Sequence, residues 1–153
     1  MHRTRPAPKR WIGTTFALLA FTLSIPGYAK VLHEERSVYT RIIVEDERNL
    51  RCLKFTLVRE NSRQTCLDRN NPQRLVFDYA KMTLSALLLK PDPKRILIIG
   101  LGGGTLPMAL RDILPSAVID TVEIDEAVVR VAKRFFDFAE DDQNRVYVQD
   151  ARV

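Results

Sequence analysis

The stretch RILIIGLGGGTLP, residues 95–107, constrains what this chain can fold into more than any other part of it. Ile96 to Ile99 form an apolar, largely β-branched run that reads as a strand buried on both faces, the pattern of a central strand in a parallel sheet. The run stops at Gly100, and Gly102, Gly103 and Gly104 follow at once. A helix begun near Thr105, with Pro107 in its first turn, directs free backbone amides toward whatever docks at the glycines. Ligands of open α/β sheets bind at the carboxyl ends of the strands, so a turn stripped of side chains there makes room for one.

Downstream the alternation continues with helix LPMALRDIL, strand AVIDTVEI, helix EAVVRVAKRFFDF and strand RVYVQD, which predicts βαβ units in a doubly wound, Rossmann-like α/β domain. Upstream, Leu75, Tyr79, Met82, Ala86 and Leu89 recur at helical spacing and predict one amphipathic helix that ends at Pro91 and Pro93. Earlier still, RIIVE, LRCLKFTLV and RQTCLD are short β-rich runs separated by the polar turns DERN and RENS. The expected organisation is a leader over 1–29, a small β region over 30–70, and over 71–153 the first half of a ligand-binding α/β domain. Three parallel strands are fewer than such a sheet normally has, so the chain is expected to be part of a longer protein.

Three ligands compete for the glycine turn. A phosphate-binding loop needs a Lys followed by Ser or Thr after the last glycine, and neither is present. A dinucleotide fingerprint asks for a third small residue where Thr105 stands, an imperfect fit. An S-adenosyl nucleoside needs a GxGxG turn and has no pyrophosphate to hold. Glu123 follows the second parallel strand, where a carboxylate can accept both hydroxyl protons of a ribose. Asp150 follows the third, with the chemistry to accept a proton from an adenine amino group. Together the two acids favour the S-adenosyl nucleoside. Asp125 has two readings, a ligand contact or the cap of the helix that follows it.

The ordered set PDPKRILIIGLGGGTLP, VEIDEAVVRVAKRFF and DDQNRVYVQDARV, after a small β region and a Tyr-containing helix, resembles the spermidine synthases, the polyamine aminopropyltransferases. The resemblance runs from about Tyr39 to Val153. It implies a methyltransferase-like fold that binds decarboxylated S-adenosylmethionine and passes its aminopropyl group to a diamine such as putrescine, with no metal. It implies cofactor contacts at Gly100, Gly102, Gly103, Gly104, Glu123, Asp125 and Asp150, and a substrate contact at Tyr79. The family's catalytic acid falls beyond Val153, so no catalytic residue is assigned. Four positions depart from the family pattern: Gly103 stands where an amine-contacting Asp is usual, Ala80 and Lys81 where His and Glu are, and Thr40 where a cofactor-contacting Gln is. These departures keep two alternatives open, an S-adenosylmethionine-dependent methyltransferase and an exported nucleoside- or amine-binding domain without catalysis.

The formal charge of +5 is located mostly at the amino terminus. Arg3, Arg5, Lys9 and Arg10 precede Lys30 with no acid among them, leaving 20 basic against 19 acidic residues in the body. A nearly neutral body gives no reason to expect a nucleic-acid partner. Residues 11–25 are apolar and end in Pro26-Gly27-Tyr28-Ala29, the anatomy of a secretory signal cut after Ala29. The alternative is an uncleaved anchor in which 11–25 tether the protein to a membrane, with a homodimer also open. Either way the expected location is the periplasm or its membrane face. Export changes the reading of Cys52 and Cys66: a hairpin turning near Arg59 and Glu60 sets them nearly opposite, where oxidising surroundings would join them.

Overall fold

The computed structural model describes residues 29–56 and 63–152. Four antiparallel strands come first, β1 Lys30–Arg36, β2 Arg41–Glu47, β3 Leu50–Phe55 and β4 Arg63–Asp68, paired in sequence order. The sequence reading lacks β1, because KVLHEER is mostly charged and shows no apolar alternation. It is an edge strand, protected by those charges, and its Glu34 pairs with Arg41 of β2. Cys52 and Cys66 are direct partners in the β3–β4 register and form a disulfide. The turn expected at Arg59 and Glu60, like residues 1–28 of the expected leader, lies outside the described residues. Reducing this bond, which closes a sequence separation of 14 residues, should lower stability by about 3 kcal/mol. Urea curves with and without reductant check it; coincident curves would show that the bond adds nothing.

The helix expected to run to Pro91 is much shorter. Helix α1 spans only Asp78–Thr83, and a 3₁₀ helix, Leu84–Leu88, follows. Just before the helix the backbone is extended at Phe77, and Leu75 bridges to Leu67 of β4. Within the helix, the Thr83 and Ser85 hydroxyls donate to the carbonyls of Tyr79 and Met82, competing with the regular ladder. The helical spacing is therefore not a core stripe: Ala80 is buried, whereas Tyr79, Met82 and Leu89 are exposed.

The α/β half runs β5 Arg95–Ile99, α2 Thr105–Ile113, β6 Val118–Glu123, α3 Glu126–Phe135 and β7 Asn144–Val148. Its three strands are parallel in the order β5-β6-β7. Among the described residues β6 lies between the other two strands, and β5 has a strand neighbour on one side. Across the sheet, Ile98, Thr121 and Val146 form one row. Val146 on that face and Met108 of α2 both pack against the cluster formed by Leu101, Val129, Ala132 and Phe138. The opposite face carries the rows Leu97–Asp120–Arg145 and Ile99–Val122–Tyr147, with Leu97 66% and Ile99 72% exposed.

Helix α3 joins the two sheets because it is apolar on two sides. Ala127, Val128 and Val131 pack against Ile42, Val44, Leu53 and Leu67 of the antiparallel sheet, while Val129 and Ala132 face the parallel one. Burial of this kind contributes about 25 cal/mol per Å² of apolar surface, the chief force holding the layers together. A polar tie adds direction: Arg51 on β3 donates Nη1 to the carbonyl of Phe135 at the end of α3 (3.1 Å) and Nε to Asp46 Oδ1 (2.9 Å). The Arg51 hydrogen bond holds the Asp46 carboxyl below its ordinary range. A depressed folded-state pKa stabilises above the unfolded value and is lost as pH falls through the folded one. The urea midpoint should therefore drop below about pH 4, and Arg51→Gln should flatten that drop; identical acid limbs in the two proteins would remove Asp46 from the account.

Candidate functional site

The turn after β5 is built from backbone. Gly100, Gly102 and Gly104 have φ of 92°, 57° and 77°, a region that L side chains rarely occupy, so the tight reversal into α2 depends on them. Gly100 N donates to Val122 O (2.8 Å), which registers the turn against the end of β6. From that end Glu123 reaches back. Its Oε2 accepts from Leu101 N (2.8 Å) and its Oε1 from Asp125 N (3.0 Å), and the side chain is buried. A carboxylate offers about four lone-pair positions, so Glu123 clamps the turn and still retains acceptor capacity toward a ligand.

A cleft of about 390 Å³ opens over the turn, lined by Gly100, Leu101, Gly102, Thr105, Tyr79 and Glu123, among others. Glu123 is the one carboxylate on its wall among the described residues. Tyr79 approaches from α1, its hydroxyl donating to Gln64 O (3.2 Å), and although the residue is largely exposed, partial desolvation of its phenol raises the pKa above the ordinary value. Gly103 and Gly104 lie behind the turn and do not line the cleft. A Cβ at Gly103 would stand 2.4 Å from Thr65 Cγ2 and 2.9 Å from Phe136 Cδ1; one at Gly104 would stand 2.4 Å from Phe138 Cδ2. These two glycines serve close packing of the turn against β4 and the segment after α3.

The remaining candidates are placed as follows. Asp125 is the N-cap of α3, its Oδ1 accepting from Ala127 N (2.9 Å), while its buried Oδ2 has no hydrogen-bond partner and the residue lines a second cleft. Strand β7 ends at Val148, so Asp150 sits in the turn beyond it. There its carboxyl accepts from the backbone and guanidinium of Arg152, which hold it below its ordinary range. Lys81, standing where the family has an acid, pairs with Asp78 (2.9 Å) on the surface. Among the described residues no cluster of three or more His, Cys, Asp or Glu could hold a metal, and no helix is long and apolar enough to cross a membrane.

Sequence reasoning missed Thr65. It comes from the antiparallel sheet, its hydroxyl lies 3.1 Å from that of Thr105 at the start of α2, and its methyl closes on Gly103. The only local signal was its place beside Cys66, which fixes β4 against β3 and so sets which residue meets the turn.

Residues 77–153, which carry α1, the glycine turn, Glu123 and everything beyond, match the model of the spermine/spermidine synthase domain. The chain belongs to the spermine/spermidine synthase family. Over 142 residues it is 44% identical to the polyamine aminopropyltransferase of Vibrio vulnificus (strain CMCP6), a match that covers 90% of this chain and 47% of that protein. The chain thus spans about half the length of that family member. It is also 33% identical over 97 residues to the eEF1A lysine and N-terminal methyltransferase of Xenopus laevis, covering 59% of the chain and 14% of that protein. Among solved structures, a probable spermidine synthase from Corynebacterium glutamicum ATCC 13032 superposes with a TM-score of 0.63 at 19% identity, covering 78% of this chain and 45% of that one. The fold is accordingly the methyltransferase-like α/β fold of the spermine/spermidine synthases, with a small antiparallel sheet ahead of it.

Proposed function

We propose that this chain forms the cofactor-binding part of an aminopropyltransferase, which moves the aminopropyl group of decarboxylated S-adenosylmethionine to a diamine such as putrescine and releases methylthioadenosine. The observation that carries this reading is the family match over 77–153, whose centre is the glycine turn clamped by Glu123. In that site Glu123 would hold the ribose hydroxyls, the turn would accept the nucleoside without side chains in the way, and Tyr79 would stand on the amine side. A neutral amine attacking carbon beside a sulfonium needs chiefly alignment, together with a base for the amine proton. The chain's own residues supply alignment and burial of the nucleoside; the base belongs to the part of the family's sequence beyond Val153.

A second reading is an S-adenosylmethionine-dependent methyltransferase. It is favoured by the likeness to the eEF1A methyltransferase and by Gly103, which offers no carboxylate to an amine. A binding domain without catalysis is the third. Export to the periplasm is part of the proposal too, supported by the Cys52–Cys66 disulfide, since such bonds persist in oxidising compartments. Incubating the complete protein with putrescine and decarboxylated S-adenosylmethionine, against ordinary S-adenosylmethionine, separates the readings. Methylthioadenosine release with the first supports aminopropyl transfer, S-adenosylhomocysteine with the second supports methylation, and binding without either product leaves the third.

A further inference from the structure

We infer that Tyr39, in the turn between β1 and β2, forms the stacking wall for the nucleobase of the bound S-adenosyl compound, so that the antiparallel sheet contributes directly to ligand recognition. This rests on the reading of the glycine turn as a nucleoside site. The second cleft, of about 380 Å³, starts one residue past Glu123: Ile124 and Asp125 form one side, Val148 from the end of β7 another, and Val38 and Tyr39 close it from the β1–β2 turn. Its apolar groups are open to solvent, with Tyr39 53%, Ile124 40% and Val148 50% exposed. Arg36, Glu126 and Arg130 complete the wall, so the cleft offers an aromatic ring and aliphatic side chains beside charged groups, a lining that suits a flat, polar, π-faced ligand. The position fits as well, because a ribose held by Glu123 has its base one glycosidic bond away, and Ile124 is the next residue of the chain.

The turn that presents Tyr39 is organised in advance. Ser37 Oγ accepts from Tyr39 N (3.1 Å) and Thr40 N (3.0 Å) and donates to Thr40 O (3.1 Å), while Ser37 N donates to Thr40 O (2.8 Å). These bonds fix the backbone on both sides of the tyrosine, so little loop ordering remains to be done on binding.

The test titrates the complete protein with methylthioadenosine and, separately, with 5-methylthioribose, which has the sugar and no base. Tyr39→Ala should weaken methylthioadenosine about tenfold, within the range for losing one aromatic stacking partner, and leave methylthioribose unchanged; Tyr39→Phe should keep wild-type affinity. In Tyr39→Trp the new indole should lose fluorescence as methylthioadenosine saturates. Equal affinity of wild type and Tyr39→Ala, or the same loss for both ligands, would overturn the stacking role while the nucleoside site stood. Failure of the wild type to bind methylthioadenosine at all would overturn both.

Discussion

Gly103→Asp is expected to destabilise the protein by about 3 kcal/mol or more, the combined effect of overpacking a filled site and burying a charge without a partner. The position is enclosed: the added Cβ alone would lie 2.4 Å from Thr65 Cγ2 and 2.9 Å from Phe136 Cδ1, before any carboxylate is placed. Thr65→Ser removes the offending methyl and keeps the hydroxyl that faces Thr105, so the double variant should recover part of the loss. Urea denaturation of the four proteins measures this. A Gly103→Asp curve that overlays the wild type would show that β4 does not close on the turn as described. The expected result also bears on chemistry, since the amine-contacting Asp that the family resemblance puts at this position cannot simply be restored. Under the proposed aminopropyl transfer, an acceptor amine would be held by other groups.

Glu123→Ala should have two effects of similar size. Methylthioadenosine binding should weaken by about 1.5 to 3 kcal/mol, the range for charge-assisted hydrogen bonds lost to a ligand. Stability should fall as well, because the amides of Leu101 and Asp125 lose their acceptor inside the protein. Glu123→Gln discriminates between them: its single carbonyl oxygen can serve one of the two amides, so it should rescue stability in part and binding less. Calorimetry showing unchanged affinity for Glu123→Ala would take this residue out of the ligand site and leave it a clamp.

What could be read in the sequence was whatever follows from short-range chemistry. Glycines at Gly100, Gly102 and Gly104, the helix start at Thr105 and the cap at Asp125 are local consequences of backbone freedom and hydrogen-bond supply, and each is found in its place. The pairing of Cys52 with Cys66 followed from counting along a hairpin. Periodicity failed at α1, whose six residues follow the Leu75–Leu67 bridge and give way to a 3₁₀ helix, with the Thr83 and Ser85 hydroxyls bonded to backbone carbonyls at the junction. Thr65 and Tyr39 were out of reach for another reason. Both act across the boundary between the two sheets, and only the packing of α3 between them brings those residues to the clefts.

The uncovered rows of the parallel sheet carry an experiment within them. Leu97, Ile99 and Tyr147 present a greasy surface to water beside the ionic string Arg95–Asp120–Arg145. In the arrangement described, Ile99→Glu places its charge in solvent and costs almost nothing. Were another layer of polypeptide to lie on that surface, the same substitution would trap a bare carboxylate and be ruinous. One mutation therefore works as a probe of environment: comparing its effect in polypeptides of different length would reveal, without any coordinates, whether those three side chains are a skin or the inside of something larger.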